Sequence, residues 1–437
     1  MREIEGSILA PQGYRAAGVF CDIKRLGTGK GSDRGPKRDL ALIVSERLAA
    51  VAGMFTTNQV CAAPVKVCRE VVRRGWAQAI VANSGNANAC TGPQGLRDAR
   101  AMAQEAARVL GLRAEHVLVA STGRIGVPMP MENVRAGIRQ AAEMLAGNSA
   151  AAAAAAEAIM TSDTRPKQMA LEFELGGRRI RLGGIAKGAG MIHPGLSPTG
   201  RRPACLPRHA TMLAFLTTDA AVERATLQAA LTEAVAASFN RITVDGDMST
   251  NDTVLLLANG YAENEPLRRR GRAYARFEAA LGEACLRLAK MIVRDGEGVH
   301  RVVTVRVFGA RTVAEADAAA RAVANSALVK TSWHGGDPNW GRVMDALGYS
   351  PARVVEERVD IGYAPPGGKV SVWSVRRGRP TGVPFEELCQ AVAPPEFELH
   401  IHLHLGRARA VLYAADLTEA YVEFNKGDVN DPASLGG

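Results

Sequence analysis

Along both halves of the chain, short apolar runs that stop at glycine, proline or polar clusters alternate with longer runs of helical periodicity. Leu40–Val44 and Val51–Phe55 read as strands separated by the polar Ser45–Arg47. Ala79–Asn83 is an apolar run entering Ser84-Gly85-Asn86-Ala87-Asn88, followed by a helical pattern from about Leu96 to Leu112. Val117–Ala120 reads as a buried strand ending at Ser121-Thr122-Gly123, and helices are expected over Met131–Leu145 and Ser149–Met160. Residues 168–187 return to strand, and 188–209 crowd glycine, proline and arginine into a seam. Beyond it come a strand at Leu213–Leu216 and helices near Ala225–Phe239, Ala275–Ile292 and Val313–Asn325. Further strands are expected near Val302–Phe308, Val370–Val372 and Leu399–Leu405. This alternation restricts the chain to a layered α/β or α+β body, and 437 residues suffice for two or three domains or one large one. No fixed-period repeat is present.

Composition removes several classes. With 47% hydrophobic and 22% charged residues, the chain is neither disordered, collagenous nor a disulfide framework. A net charge of +10 raises nucleic acid as a partner. However, the basic residues are scattered, with small clusters only at Arg201–Arg202 and Arg268–Arg272, and no aromatics interleave with them to stack bases. The excess therefore reads as solvated surface, and no nucleic acid partner is expected. The seven cysteines form no C-x-x-C pair, which argues against a zinc site and a disulfide scaffold. No apolar h-region marks the N-terminus, and no run reaches the roughly 18–20 apolar residues of a membrane span. A soluble cytoplasmic protein without membrane contact is expected.

Five segments carry candidate chemistry. Lys187-Gly188-Ala189-Gly190-Met191-Ile192-His193-Pro194 sets a cation beside glycines that let backbone approach a ligand, though a lysine in a glycine-rich turn is commonly solvated. His209-Ala210-Thr211-Met212-Leu213 places a threonine ahead of an apolar run. It fits a β-branched residue opening a strand, or a hydroxyl nucleophile whose own α-amine, freed by chain cleavage, serves as base. Ser121-Thr122-Gly123 is either an ordinary turn or a strand-end loop that aims an N–H and a hydroxyl at an oxyanion. Asp295-Gly296-Glu297-Gly298 offers two carboxylates to a substrate ammonium; it lacks EF-hand spacing, so no metal is expected there. His400, His402 and His404 alternate on one strand face, which suits a polar surface better than convergence on one ion.

Taken together in chain order, these segments and several others resemble the ornithine acetyltransferase family, the glutamate N-acetyltransferases of the cyclic arginine pathway. The resemblance runs through Lys37-Arg38-Asp39-Leu40-Ala41-Leu42, Gly53-Met54-Phe55-Thr56-Thr57-Asn58 and Ala82-Asn83-Ser84-Gly85-Asn86-Ala87-Asn88-Ala89-Cys90-Thr91-Gly92. It continues through Ser121–Gly126, Ile159-Met160-Thr161-Ser162-Asp163-Thr164 and the Lys187 and Thr211 segments. In the second half it includes Val244-Asp245-Gly246-Asp247-Met248-Ser249-Thr250-Asn251-Asp252, the Glu297 loop and Asp337-Pro338-Asn339-Trp340-Gly341-Arg342.

The resemblance implies a four-layer αββα N-terminal-nucleophile fold of the α+β class. It also implies self-cleavage between Ala210 and Thr211 into an α chain, 1–210, and a β chain, 211–437. Thr211 would be the nucleophile, Thr122 and Gly123 the oxyanion positions, and Thr161, Lys187, Thr211, Glu297 and Asn425 the substrate contacts. Acetyl would pass from N-acetylornithine to glutamate by a ping-pong route, with no cofactor and no metal, acetyl-CoA serving as an optional donor. An α2β2 assembly is implied as well. The same scheme also admits an amidohydrolase or aminopeptidase, with water as acceptor, or a secondary-metabolism acetyltransferase.

Three features depart from the family pattern. Gly195–His209 is a much longer link before the cut, and Asn430 stands where the family carries a serine or threonine, with the tail running on to Gly437. Gly406-Arg407-Ala408-Arg409 lacks the aspartate of the family's usual G-R-G-D.

Overall fold

The computed structural model describes residues 1–24, 37–201 and 212–426. Ala210, Thr211, Asn430 and the link from residue 202 onward lie outside the described residues, so the proposed cut site does too.

One strand organises the larger part of the fold. The two strands expected between Leu40 and Phe55 are a single one, Leu40–Thr56, because the polar Ser45–Arg47 segment bends the chain without ending its pairing. Its register against Trp76–Asn86 shifts between Val44 and Ala49, the irregularity by which a strand curls. The first half of Leu40–Thr56 pairs with Tyr14–Val19 and Trp76–Asn86, the second with Thr253–Ala258 and Leu196–Ser197. The ten-stranded sheet therefore folds over at this strand into two halves.

Side-chain alternation along the bent strand then makes three cores. Ala41, Ile43, Ala49, Val51 and Phe55 face the space between the halves, where they meet Ile80, Leu118, Phe215 and Leu255. Leu40 and Leu42 face outward onto the helices Gly92–Leu110 and Met131–Glu143. Ala50, Ala52 and Met54 face outward at the other end, onto Arg224–Ala237 and Gly271–Arg294. The layer order is helix, sheet, sheet, helix: the αββα body of the α+β class. The alanine run lies in the helix Ser149–Ala158, whose small side chains allow so close an approach that a Cβ on Gly18 would sit 2.0 Å from the Ala154 carbonyl oxygen.

A second, seven-stranded sheet follows. One face is covered by Val313–Asn325, Ala327–His334, Trp340–Gly348 and Phe385–Val392 over Val305, Ile361, Leu399 and Leu412. The last three of these helices, and Ala63–Arg74 in the first half, were not anticipated. All four run for only 8–12 residues, too short for periodicity to stand out. The strand carrying the histidines is Glu396–His402, so His404 falls beyond its end. His400 bonds Glu398, His404 bonds Asp360 and His402 stacks on Phe308. His400 and His404 are thus committed to different carboxylates, with His402 packed among aromatic rings.

Candidate active site

The site forms where strand ends meet. Trp76–Asn86 and Val117–Arg124 run parallel and finish together, which brings Asn83–Asn86 beside Ser121–Arg124. Ser121 Oγ donates to Asn83 Oδ1 at 2.6 Å, and Asn251 Nδ2 donates to the carbonyls of Ala87 and Ser121 at 2.6 and 2.8 Å. These buried amides satisfy backbone that has left the ladder. Gly123 has φ +129°, and a Cβ there would lie 2.3 Å from the Gly85 carbonyl carbon, so only glycine fits.

Lys187 closes the strand Arg178–Lys187 and pairs with Leu213, the first residue of Leu213–Thr218. Here the structure corrects the reading of a solvated lysine in a turn, because the Lys187 side chain is only 3% exposed. Its Nζ donates to Thr161 Oγ1 at 2.8 Å and to Thr122 Oγ1 at 3.2 Å. Three residues expected in the site, Thr122, Thr161 and Lys187, are thus brought together from three segments. Burial lowers the Lys187 pKa, opposed by Asp163 and, more weakly, by Glu297 and Asp252.

Beneath this cation lies an ionic layer in which sequence reasoning gave Asp163 and Lys167 no role. Asp163 accepts from Gly188 N at 2.7 Å, Thr161 N at 3.0 Å and Lys167 Nζ at 2.5 Å. Burial would raise its carboxyl, but Lys187, Lys167 and the Gly188 N–H outweigh that and hold it at about 2. Lys167 also bonds Asp295 at 2.5 Å. Asp295 is therefore a buried structural partner, not the substrate carboxylate its loop suggested.

Glu297 is the outward member of that loop. Its N–H donates to the Ala189 carbonyl at 2.9 Å, and its carboxylate lies over Gly190, where a Cβ would sit 2.4 Å from Oε2. Asn425, on the helix Glu419–Asn425, donates to Glu297 Oε2 at 2.9 Å. Burial raises the Glu297 pKa against the opposing bonds from Ser162 and Asn425. Asp245 joins the same corner by accepting from Met191 N and Ile192 N at 2.6 and 2.9 Å and from the Tyr421 hydroxyl at 3.2 Å.

Asp252 was also missed. It is fully buried, accepts the N–H of Met212 and leaves Oδ2 without a hydrogen-bond partner among the described residues. Burial raises its pKa well above the usual carboxylate value, with the Met212 N–H and Lys187 opposing. The N–H of Thr253 holds the Met212 carbonyl at 3.0 Å. Both sides of the residue following Thr211 are thereby fixed. The sequence signal for these groups was the polarity of the Ile159–Thr164 and Val244–Asp252 runs amid apolar strands.

Fold and site together define a class: a four-layer αββα protein in which a buried cation and two hydroxyls converge at the sheet ends, beside a strand-end glycine. The ArgJ family model matches residues 15–427, and the chain belongs to that family. It is 47% identical over 425 residues to the arginine biosynthesis bifunctional protein ArgJ of Symbiobacterium thermophilum, covering 97% of this chain and 99% of that one. The protein of the same name from Geobacter sulfurreducens is 44% identical over 418 residues, covering 95% and 98%. Among solved structures, the ornithine acetyltransferase of Mycobacterium tuberculosis, complexed with ornithine, is 41% identical. That match covers 45% of this chain and 99% of the solved one, with a TM-score of 0.40.

Proposed function

We propose that this chain transfers the acetyl group of N2-acetyl-L-ornithine to L-glutamate, after cutting itself between Ala210 and Thr211 into chains 1–210 and 211–437. The observation that carries the reading is Lys187, buried against Thr122 and Thr161 and paired in register with Leu213, two residues past Thr211. The names of its relatives supply the substrates: arginine biosynthesis for the bifunctional proteins, ornithine for the Mycobacterium tuberculosis structure.

In this scheme the free α-amine of Thr211 takes the proton of its hydroxyl, and the oxygen attacks the acetyl carbonyl carbon. The oxyanion is held by the Gly123 N–H and the Thr122 hydroxyl. Collapse breaks the C–N bond, ornithine leaves with the proton, and acetyl stays on Thr211. Glutamate's amine then attacks that ester, yielding N-acetylglutamate and free Thr211. Lys187 and Glu297 pair with the carboxylate and ammonium of the amino-acid substrates, assisted by Thr161 and Asn425. Lys187 also disfavours a second positive charge on the Thr211 amine, which keeps that base unprotonated. The chemistry needs no cofactor. Acetyl-CoA as a second donor, an α2β2 assembly and a cytoplasmic location complete the proposal. No helix among the described residues is long and apolar enough to cross a membrane.

Intact-mass measurement before and after incubation with N-acetylornithine tests it. Two fragments beginning at Met1 and Thr211 are expected, with one acetyl added to the second. An uncut chain that still transfers acetyl would refute the nucleophile.

A further inference from the structure

Away from Lys187, three ligand-type side chains that the proposed reaction does not use converge. His300 lies between the helix Gly271–Arg294 and the strand Val302–Ala310, His334 ends the helix Ala327–His334, and Asp416 follows the strand Ala408–Ala415. One donor atom from each lies within 4.8 Å of the others. The two imidazole rings are 5.1 Å apart between centroids.

The hydrogen bonding around the cluster singles out the inner atoms. His334 Nε2 meets Glu419 Oε2 at 2.7 Å. If Nε2 donates to this carboxylate, the neutral ring carries its lone pair on Nδ1. That Nδ1 faces Asp416 Oδ2 at 3.5 Å. Neither atom has a hydrogen-bond partner among the described residues, and both are inaccessible to solvent. Asp416 Oδ1, by contrast, accepts from His300 N at 3.1 Å. A lone pair set against a carboxylate oxygen in a buried site is repulsive unless a proton or a metal cation lies between them.

We propose that His300, His334 and Asp416 form a binding site for a zinc-class divalent transition metal. Zinc takes nitrogen at about 2.0–2.1 Å and carboxylate oxygen at about 2.0–2.2 Å, so tetrahedral ligands stand roughly 3.3 Å apart. The 3.5 Å between His334 Nδ1 and Asp416 Oδ2 matches that spacing. Two imidazoles and one carboxylate are a donor set of zinc chemistry, with a fourth position left for solvent. Glu419 supplies the carboxylate that orients a metal-bound imidazole from behind. Of the nearby cations, Arg301 donates to the carbonyls of Trp333 and His334, while Lys330 donates to that of Ala415 and adds a positive charge near Asp416 without hydrogen-bonding it.

The position gives the metal a mechanical consequence. His300 is three residues beyond Glu297, and Asp416 is three residues before the helix that ends at Asn425. Thr418 Oγ1 already ties that helix start to the Gly298 carbonyl at 2.7 Å. A bound ion would fasten the Glu297 loop to the Asn425 helix a second time.

Titrating Zn2+ into the chelator-treated full chain by calorimetry tests the site, with Co2+ and its visible spectrum as a report on geometry. One equivalent per chain is expected, with tetrahedral Co2+ absorption and binding in which metal and protons compete for the ligands. His300→Gln, at an exposed position, and His334→Gln, at a largely buried one, should each weaken binding at least tenfold without loss of fold. Glu419→Gln should weaken it about 10–100-fold. Less than one equivalent, or unchanged affinity in both histidine variants, would overturn the proposal. Asp416→Asn would discriminate poorly, since loss of its bond to His300 N can itself disturb folding.

Discussion

Met212 donates its backbone N–H to the buried carboxylate of Asp252, forty residues further along the chain. This contact fixes the chain directly after Thr211 and puts a carboxyl of raised pKa within reach of the chemistry proposed there. Asp252→Asn keeps an acceptor for the N–H but cannot exchange a proton. If the carboxyl moves protons during cleavage or transfer, its loss should slow the reaction about 10²-fold or more. Gel analysis of cleavage and kcat for acetyl transfer read the two steps separately.

The same substitution has an opposite effect on stability. A carboxyl whose folded pKa is raised favours the fold below its unfolded value of about 3.9, and that advantage is lost as pH rises toward the folded value. Asp252→Asn removes this loss. The variant should therefore gain Tm relative to the parent at pH 7 and show no such gain near pH 3, as scanning calorimetry would record.

Asp163 has the reverse sign. Its carboxyl is held at about 2, so its contribution is complete above the unfolded value near 3.9 and disappears as pH falls through about 2. Asp163→Asn leaves Lys167 and Lys187 with less compensation and should cost about 3–5 kcal/mol at pH 7. The difference from wild type should shrink between pH 4 and pH 2 in denaturant titrations.

Gly123 and Gly126 separate function from strain. Both have positive φ, +129° and +80°. A Cβ on Gly123 would meet the Gly85 carbonyl carbon at 2.3 Å, whereas one on Gly126 meets nothing within 4 Å. Gly126→Ala should cost about 1–2 kcal/mol and leave transfer intact. If the Gly123 N–H holds the oxyanion as proposed, Gly123→Ala displaces it and should lower kcat by about 10²–10³. Equal losses in the two variants would deny Gly123 a special role.

Lys187→Met distinguishes a substrate cation from a structural one. Asp163 retains Lys167 at 2.5 Å and the Gly188 N–H at 2.7 Å, so the fold should survive. The KM for N-acetylornithine should rise while far-ultraviolet circular dichroism stays unchanged. A variant that unfolds instead would make the Lys187–Asp163 contact primarily structural.

Alternation of strand and helix, the apolar pattern of each strand and the family motifs were all legible in the chain itself. These are local properties: Leu40, Leu42 and Ala41, Ile43 declare their opposite faces wherever the strand lies. The sequence also named the cluster of Thr122, Thr161 and Lys187, through motif resemblance and not through any spacing along the chain. What it could not declare was which partner each buried polar group would find. Ser45–Arg47 looked like a break because polarity is local, while the pairing that keeps the strand intact comes from Tyr14–Val19 and Trp76–Asn86. Lys187 looked solvated because glycines follow it, while its burial depends on Asp163, Thr122 and Thr161 from other segments. Asp252 and Asp295 gained their roles in the same way. Hydrophobic periodicity is written residue by residue, but desolvation and charge pairing depend on neighbours supplied by the tertiary structure, and those alone decided the chemistry of the site.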